Sequence, residues 1–214
     1  SGEKAIAIGS GVQSTGSAST AIGKGAIANQ GNAFAAGTEA KAQATDTVAI
    51  GSGVTASGVQ SISIGSTFNN RANQATGIAS VAIGSGAQST GAGSVALGRN
   101  VQSLREYTTA IGTNITASNQ ASGSTIIGYN SATKGNQSVN IGSTNATEES
   151  AQYSTAIGYK ANVSGMNAIA IGSGDGGPNS GNVTASADNA IAIGTKAQAS
   201  GASAMALGTN ANAA

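Results

Sequence analysis

The stretch SVAIGSGAQSTGAGSVALG, which spans Ser80–Gly98, begins and ends with nearly the same five residues. In both copies, VAIG at 81–84 and VALG at 95–98, an alanine stands between two large aliphatic residues and a glycine follows. Large and small side chains that alternate with a period of two are typical of a β-strand. The interval from Gly84 to Gly98 therefore indicates a 14-residue repeat built on a short strand and a glycine.

The same motif recurs along the whole chain of 214 residues. Nine of the 13 spacings between its glycines, which we call anchor glycines, equal the interval from Gly84 to Gly98. The other four spacings are longer and indicate insertions near 66–73, 118–122, 148–152 and 173–182. A fixed period is the signature of stacked repeats, so the sequence predicts one repetitive domain over 1–214 with about 14 coils. The anchor glycines are Gly9, Gly23, Gly37, Gly51, Gly65, Gly84, Gly98, Gly112, Gly128, Gly142, Gly158, Gly172, Gly194 and Gly208.

A second, weaker alternation follows each anchor glycine. The third residue after it is apolar in many units, as in Val12 and Val54, and a polar turn that often holds another glycine, such as Gly91, comes next. Each unit therefore consists of a strand, a glycine corner, a strand and a polar turn. Two short strands in about 14 residues describe one coil of a β-solenoid, so we expect an all-β fold.

The alternation gives the first strand of each coil two faces. We assign pairs such as Val81 and Ile83 to a thin interior, and Ala82 to the opposite, outer face. Small, flat faces allow backbones to approach closely, and stacked units make an extended interface. We therefore expect the alanine face to contact another copy of the chain.

Composition excludes several classes of function. The chain has no histidine and no cysteine, and its eight acidic residues are scattered. We therefore expect no enzyme, no metal and no cofactor, since the usual nucleophile–base and metal-ligand sets are missing. The net charge of +1 gives no electrostatic footprint for nucleic acid. There is no apolar run of about 18 residues, so we expect no membrane insertion by this segment.

The repeated motif resembles the YadA-like head repeats of trimeric autotransporter adhesins. The matching motifs include SVAIG at 80–84, SVALG at 94–98, TVAIG at 47–51 and AIAIG at 168–172 and 190–194. The resemblance implies a left-handed parallel β-roll of 14-residue coils, with three chains side by side. It also implies display on the surface of a Gram-negative bacterium, with an outer-membrane anchor outside this segment. The alanines implied for the face between the three chains are Ala7, Ala49, Ala82, Ala96, Ala170 and Ala192.

For function, the resemblance implies an adhesin head. Its expected partners are two further copies of the chain and host matrix proteins of the collagen, fibronectin or laminin class, or host cells, with autoaggregation as an added activity. The alternative is an ice-binding β-solenoid, which would need a regular outward ladder, commonly of threonine. The fourth residue after the anchor glycine is threonine in Thr55 and Thr116 but glutamine in Gln13 and Gln88, so the adhesin is favoured.

Insertions are where a solenoid usually carries its specificity, because the coils themselves are constrained. The first candidates for partner contacts are Asn69, Asn70 and Arg71 in the 66–73 insertion. Phe68 either lies exposed beside Arg71 or fills the inward position held elsewhere by Val12.

Two further groups complete the candidate contacts. Asp175 and Asn179 belong to the 173–182 insertion, which is either a contact loop or a tolerated bulge, and the coil pattern resumes at Val183. Tyr129 and Tyr159 each follow an anchor glycine directly. We therefore expect the two tyrosines to project from the same edge of the solenoid as an aromatic contact strip.

Overall fold

A computed structural model describes residues 2–117, 120–174 and 181–214 of the chain. Those residues form β-strands and turns, and no helix among them is long and apolar enough to span a membrane. The chain divides into two compact units, Ser1–Tyr107 and Thr108–Ala214. Each unit is a parallel β-solenoid. That both belong to a single domain stays a prediction.

In the first unit, each coil contributes a strand before its anchor glycine and a short strand after it. The last coil joins both into one long strand. The strands are β1 (Ile6–Ile8), β2 (Gln13–Ser14), β3 (Thr20–Ile22), β4 (Ile27–Ala28), β5 (Phe34–Ala36), β6 (Lys41–Ala42), β7 (Val48–Ser52), β8 (Thr55–Ala56), β9 (Ile62–Ser66), β10 (Gln74–Ala75), β11 (Val81–Ser85), β12 (Gln88–Ser89) and β13 (Val95–Ser103).

The second unit repeats this plan and begins with the long strand. Its strands are β14 (Thr109–Ala117), β15 (Thr125–Tyr129), β16 (Ala132–Thr133), β17 (Val139–Ser143), β18 (Ala146–Thr147), β19 (Thr155–Tyr159), β20 (Ala161–Val163), β21 (Ile169–Ser173), β22 (Val183–Ala185), β23 (Ile191–Ile193), β24 (Gln198–Ala199), β25 (Met205–Leu207) and β26 (Asn212–Ala213).

Successive coils pair in parallel, and their register follows the repeat. Gly84 lies opposite Gly98 in the ladder between β11 and β13. The 66–73 insertion leaves the ladder intact, because Gly65 still lies opposite Gly84. After the 173–182 insertion, Val183 pairs with Ala161 of the preceding coil. The predicted repeat, and the return of the pattern at Val183, are confirmed.

The interior of each coil is filled by small side chains. Four positions point inward: the fourth and second residues before the anchor glycine, and the third and fifth after it. In the coil of Gly51 these are Thr47, Ala49, Val54 and Ala56, and all four are fully buried, at 0% exposure. Alanine, serine and threonine recur at these positions in both units, with one branched aliphatic residue in some coils.

The predicted assignment of the two faces is therefore wrong. Ala82 is fully buried at 0% exposure, while Val81 and Ile83 point outward and are half-buried. The reason is the thinness of the coil. In the coil of Gly51 only Gly53 and Val54 separate the two strands, and the interior of a coil holds at most one branched aliphatic side chain. Extra side-chain volume in a close-packed interior is destabilising.

The proposed trimer-facing alanines need the same correction. Ala49, Ala82, Ala96, Ala170 and Ala192 are buried at 0% exposure within their own chain, so another chain cannot reach their side chains. Ala7 is exposed; it lies in β1, the first strand of the described residues.

Successive coils approach each other so closely at the anchor glycines that these corners accept only glycine. Gly84 has φ of +140°, and a Cβ added there would overlap the carbonyl oxygen of Gly98 in the next coil. A Cβ at Gly51 would overlap Gly65 in the same way. Only glycine both tolerates this backbone conformation and leaves room for the neighbouring coil.

We predict that Gly84→Ala destabilises the chain by about 3 kcal/mol or more, because backbone strain of this kind alone costs about 1–3 kcal/mol and steric overlap adds to it. The matched control is Gly11→Ala. Gly11 also has a positive φ, of +67°, but a Cβ there meets no atom within 4 Å, so the cost is about 1–2 kcal/mol. Urea unfolding of both variants measures the difference, and equal losses would contradict this account.

Candidate functional site

Large aliphatic side chains cover the outer face of the first strands in both units. In most coils they occupy the third residue before the anchor glycine and the residue immediately before it. Threonine stands at the first of these positions in Thr20, Thr109, Thr125 and Thr155, and the coil of Gly37 has Phe34 and Ala36. We call the row of residues at these two positions in each unit the aliphatic strip. In the first unit the most exposed members are Ile6, Ile8, Ile22, Ile50 and Leu97, and in the second unit they are Ile127, Ile141, Ile193, Met205 and Leu207, each 36 to 58% exposed.

The aliphatic strip has the chemistry of an interface. Its members stack in register, as Ile50 does on Ile64 and Ile83 on Leu97. No charged residue occupies either strip position in any coil. Because monomeric proteins rarely expose large contiguous apolar surfaces, each strip is a candidate interface. Sequence reasoning missed this surface, although the absence of charge at both positions was a usable signal.

The 66–73 insertion forms a tight β-hairpin, which we call the Phe68 hairpin (Phe68–Arg71). The Phe68 N–H donates to the Arg71 carbonyl at 2.9 Å, and the Arg71 N–H donates to the Phe68 carbonyl at 2.8 Å. Asn69 and Asn70 at its tip have φ of +46° and +62°. A two-residue hairpin turn of this type requires a positive φ at both central residues, and asparagine adopts this left-handed backbone conformation more readily than most residues.

Two arginine contacts hold the hairpin against the following coils. The Arg99 guanidinium lies 5.2 Å from the centroid of the Phe68 ring, and Arg71 Nη1 donates to Asn100 Oδ1 at 2.7 Å. Asn69 and Asn70 are exposed, whereas Phe68 and Arg71 are half-buried. The hairpin is therefore a folded projection that presents two amide side chains.

Phe68 adopts neither of the two predicted placements. Its ring lies under Arg99 rather than fully in solvent, and Asn73 takes the inward position. The Asn73 amide is well satisfied there: Nδ2 donates to Ser63 Oγ and to the Ala82 carbonyl, both at 3.1 Å, and Oδ1 accepts from the Ala87 N–H at 2.9 Å. An amide fills the slot because every polar atom it buries has a partner.

In the second unit, Tyr129 and Tyr159 occupy the same position two coils apart. Register pairing places Tyr129 opposite Ser143, and Ser143 opposite Tyr159. The tyrosines are 52% and 36% exposed, and the Lys160 ammonium lies 5.5 Å from the Tyr159 ring centroid. The structure thus confirms that both tyrosines arise from one edge. We call this row, with Ser143 at its centre, the tyrosine ladder.

An exposed ion pair marks the 148–152 insertion. Lys134 Nζ donates to Glu148 Oε2 at 3.0 Å. This hydrogen bond, followed by the attraction of the Glu148 charge, raises the pKa of Lys134. The small stability that the pair supplies is present at neutral pH and is lost as the pH rises through the Lys134 pKa. Exposed pairs contribute little, so this pair is a surface feature of the turn.

Asp175 and Asn179 lie outside the described residues, so their candidate role stays a prediction. Within 2–117, 120–174 and 181–214, no three acidic, histidine or cysteine side chains gather at one place.

The family model of the YadA head domain repeat matches residues 1–26, 14–40, 28–53, 42–67, 75–100, 150–174 and 185–211. Together these segments cover more than half of the chain. The Phe68 hairpin, residues 101–149 with Tyr129, and the 175–184 stretch fall between the matches. Comparison with curated proteins gives no match.

We predict that Arg99→Ser loosens the Phe68 hairpin, since the cation–π contact contributes about 0.5–1 kcal/mol. Serine is the residue at the equivalent positions Ser52 and Ser85, so the coil accepts it. Trypsin cleavage after Arg71 should accelerate about two- to fivefold, because cleavage follows the population of the open form. Arg105→Ser, in an exposed turn, is the control. An unchanged cleavage rate in Arg99→Ser would show that Arg99 does not hold the hairpin.

Proposed function

Because this chain belongs to the family of YadA head domain repeats, we propose that it is the adhesive head of a trimeric autotransporter on a bacterial cell surface. In this proposal three chains lie side by side, on a Gram-negative outer membrane, and attach to host matrix proteins of the collagen, fibronectin or laminin class or to host cells. Autoaggregation of the bacteria would use the same surface. The family is adhesive rather than enzymatic. The observation that carries the proposal is the aliphatic strip.

The aliphatic strip supports association of parallel chains. Full burial of an isoleucine or leucine side chain contributes about 1.5–3 kcal/mol, so covering side chains that are one-third to one-half exposed contributes about 0.5–1.5 kcal/mol each. The summed contribution of the strip members of one unit is comparable with the free-energy cost of association, which is about 4–15 kcal/mol. A closed, three-fold arrangement covers every strip with two neighbours and leaves no open interface.

The outward face of the second strands is polar and suits contact with solvent or a partner. Gln74, Gln88 and Gln102 stack in one ladder, and Gln102 Nε2 donates to Gln88 Oε1 at 3.0 Å. The mixed residues of this face form no regular threonine ladder, so nothing in it favours the ice-binding alternative. In a trimer, the Phe68 hairpin and the tyrosine ladder are each presented three times. Weak contacts gain strength by such multivalency.

We predict that the chain sediments at about three times its mass of 20.2 kDa at micromolar concentration. A buried, unpaired carboxylate is costly in an apolar interface, so Ile50→Asp in the aliphatic strip should give monomers. Gln88→Asp, on the polar face, is the matched control and should remain trimeric. A monomeric wild-type chain, or a trimeric Ile50→Asp variant, would contradict assembly through the strip.

The same three preparations test adhesion in a solid-phase assay on collagen, fibronectin, laminin and host cells. We expect the trimers to bind at least one of these surfaces and the Ile50→Asp monomer to bind at least a hundredfold less, because avidity is lost. A variant without residues 175–180 tests Asp175 and Asn179, and unchanged binding would remove both from the contact set. Trimers that bind none of the surfaces would overturn the adhesive function.

A further inference from the structure

The coil of Gly37 departs from the rest of the aliphatic strip at both of its positions. Ala36 is the only small residue that stands immediately before an anchor glycine, where every other coil has isoleucine or leucine. Phe34 is the only aromatic residue at the third position before an anchor glycine. A phenylalanine and an alanine together carry as many side-chain carbon atoms as two isoleucines, which is the pair in the coil of Gly65. The coil therefore keeps the bulk of the strip but moves it to one side.

Phe34 forms a projection on the strip. Its neighbours in the ladder are Thr20 and Val48, and both have smaller side chains. Side chains stand roughly perpendicular to a sheet, so the ring reaches further out than the residues on either side of it. The backbone beneath the ring is held in place, because the Phe34 N–H donates to the Thr47 carbonyl at 2.8 Å.

Ala36 forms a gap beside this projection. It lies between Ile22 and Ile50 in the ladder, and these isoleucines are 38% and 36% exposed. The two isoleucines are two strand spacings, or about 9.6 Å, apart, and only a methyl group stands between them. Ala36 itself remains half-buried rather than buried, so the Phe34 ring of the same chain does not seal the gap.

Three-fold symmetry would bring the projection of one chain to the gap of the next. When three strips face a common axis that runs along the stacked coils, rotation places one edge of each strip against the other edge of its neighbour, and such heterologous contacts close into a ring. Phe34 and Ala36 belong to one strand, β5, and therefore lie at one level of the stack. Rotation about that axis leaves the level unchanged, so Phe34 lies opposite Ala36 of a neighbouring chain.

We propose that the Phe34 ring of each chain packs into the gap above Ala36 of a neighbouring chain and thereby sets the register of the three chains. This inference rests on the trimer proposed above. A shift of one coil would bring the ring against Ile22 or Ile50 instead of Ala36. Extra volume at a packed contact is destabilising, so the ring accepts only the unshifted arrangement.

The following coils do not define the register as sharply. The coils of Gly51, Gly65 and Gly84 all have valine or isoleucine at the first strip position and isoleucine at the second. A shift of one coil among them exchanges residues of nearly the same shape. The coil of Gly37 is therefore the place in the first unit where a shifted arrangement is penalised most.

A mixture of two variants tests whether the ring and the gap belong to different chains. Phe34→Val leaves a void at every contact, and Ala36→Ile crowds every contact. Each variant alone should therefore need at least a tenfold higher concentration to form trimers. In a mixed trimer the new valine of one chain meets the new isoleucine of another, and an intact Phe34 ring meets an intact Ala36. Mixed trimers therefore contain matched contacts that neither variant forms alone.

Native mass spectrometry measures this exchange after the two variants, one of them isotope-labelled, are unfolded and refolded together. The ratio of mixed to unmixed trimers should be at least twice the ratio that random assortment gives. Random assortment would show that Phe34 compensates for Ala36 within its own chain, and would overturn the inference. Phe34→Val with Ala36→Ile in one chain reproduces the pair in the coil of Gly51. This control should trimerise like the wild-type chain.

Disulfide formation between chains reports the register. Chains with Val48→Cys are mixed either with Ile50→Cys, on the same coil, or with Ile64→Cys, one coil further on. Because disulfides need close Cβ atoms, the same-coil pair should link at least tenfold faster. In the background Phe34→Val with Ala36→Ile this advantage should fall at least threefold. An undiminished advantage would show that the ring does not set the register.

Failure of this contact and failure of the proposed function give different results. A wild-type chain that stays monomeric overturns the trimer and this contact with it. Wild-type trimers whose variants assort at random overturn only the Phe34 contact, and leave the adhesive function standing. Trimers that show the preferred mixing but bind no matrix protein or cell overturn only the adhesive function.

Discussion

The fold depends on how closely one coil approaches the next at its glycine corner. At Gly84 the backbone of the next coil occupies the space where any other residue would carry its Cβ. That contact allows the coils to stack at the spacing of β-strands, and it fixes the phase of the whole repeat. Insertions are tolerated because they leave the corner itself in place, so Gly65 and Gly84 remain opposite each other although the 66–73 insertion lies between them.

The arrangement of side chains follows from this corner. Small residues such as Ala49 and Ala56 fill most of the space between the two strands of a coil, with at most one branched aliphatic residue beside them. Most large aliphatic residues stand on the outside, where Ile50 is 36% exposed, although Ile115 and Ile126 are fully buried. A chain of this kind has little core of its own for its length. In the proposed trimer, association of the chains through their aliphatic strips supplies the apolar burial that each coil lacks.

The sequence predicts the period, the strands, the insertions and the shared position of Tyr129 and Tyr159, because all of these follow from spacing alone. It did not predict which face lies inside. A period of two is the same whichever face is buried, and the choice between Ala82 and Ile83 depends on the thickness of the coil. The sequence does not predict the placement of Phe68 either, because its partner Arg99 lies two coils further along the chain.

Thiol labelling tests the orientation of the coil most directly, since the chain has no cysteine of its own. Ala49→Cys and Ile50→Cys place the probe on neighbouring residues of one strand. We expect the cysteine at position 49 to resist labelling at every protein concentration. The cysteine at position 50 should react in dilute solution and become protected as the chains associate. Rapid labelling at position 49 with protection at position 50 under dilution would show that the aliphatic residues lie inside the coil, and would contradict the account.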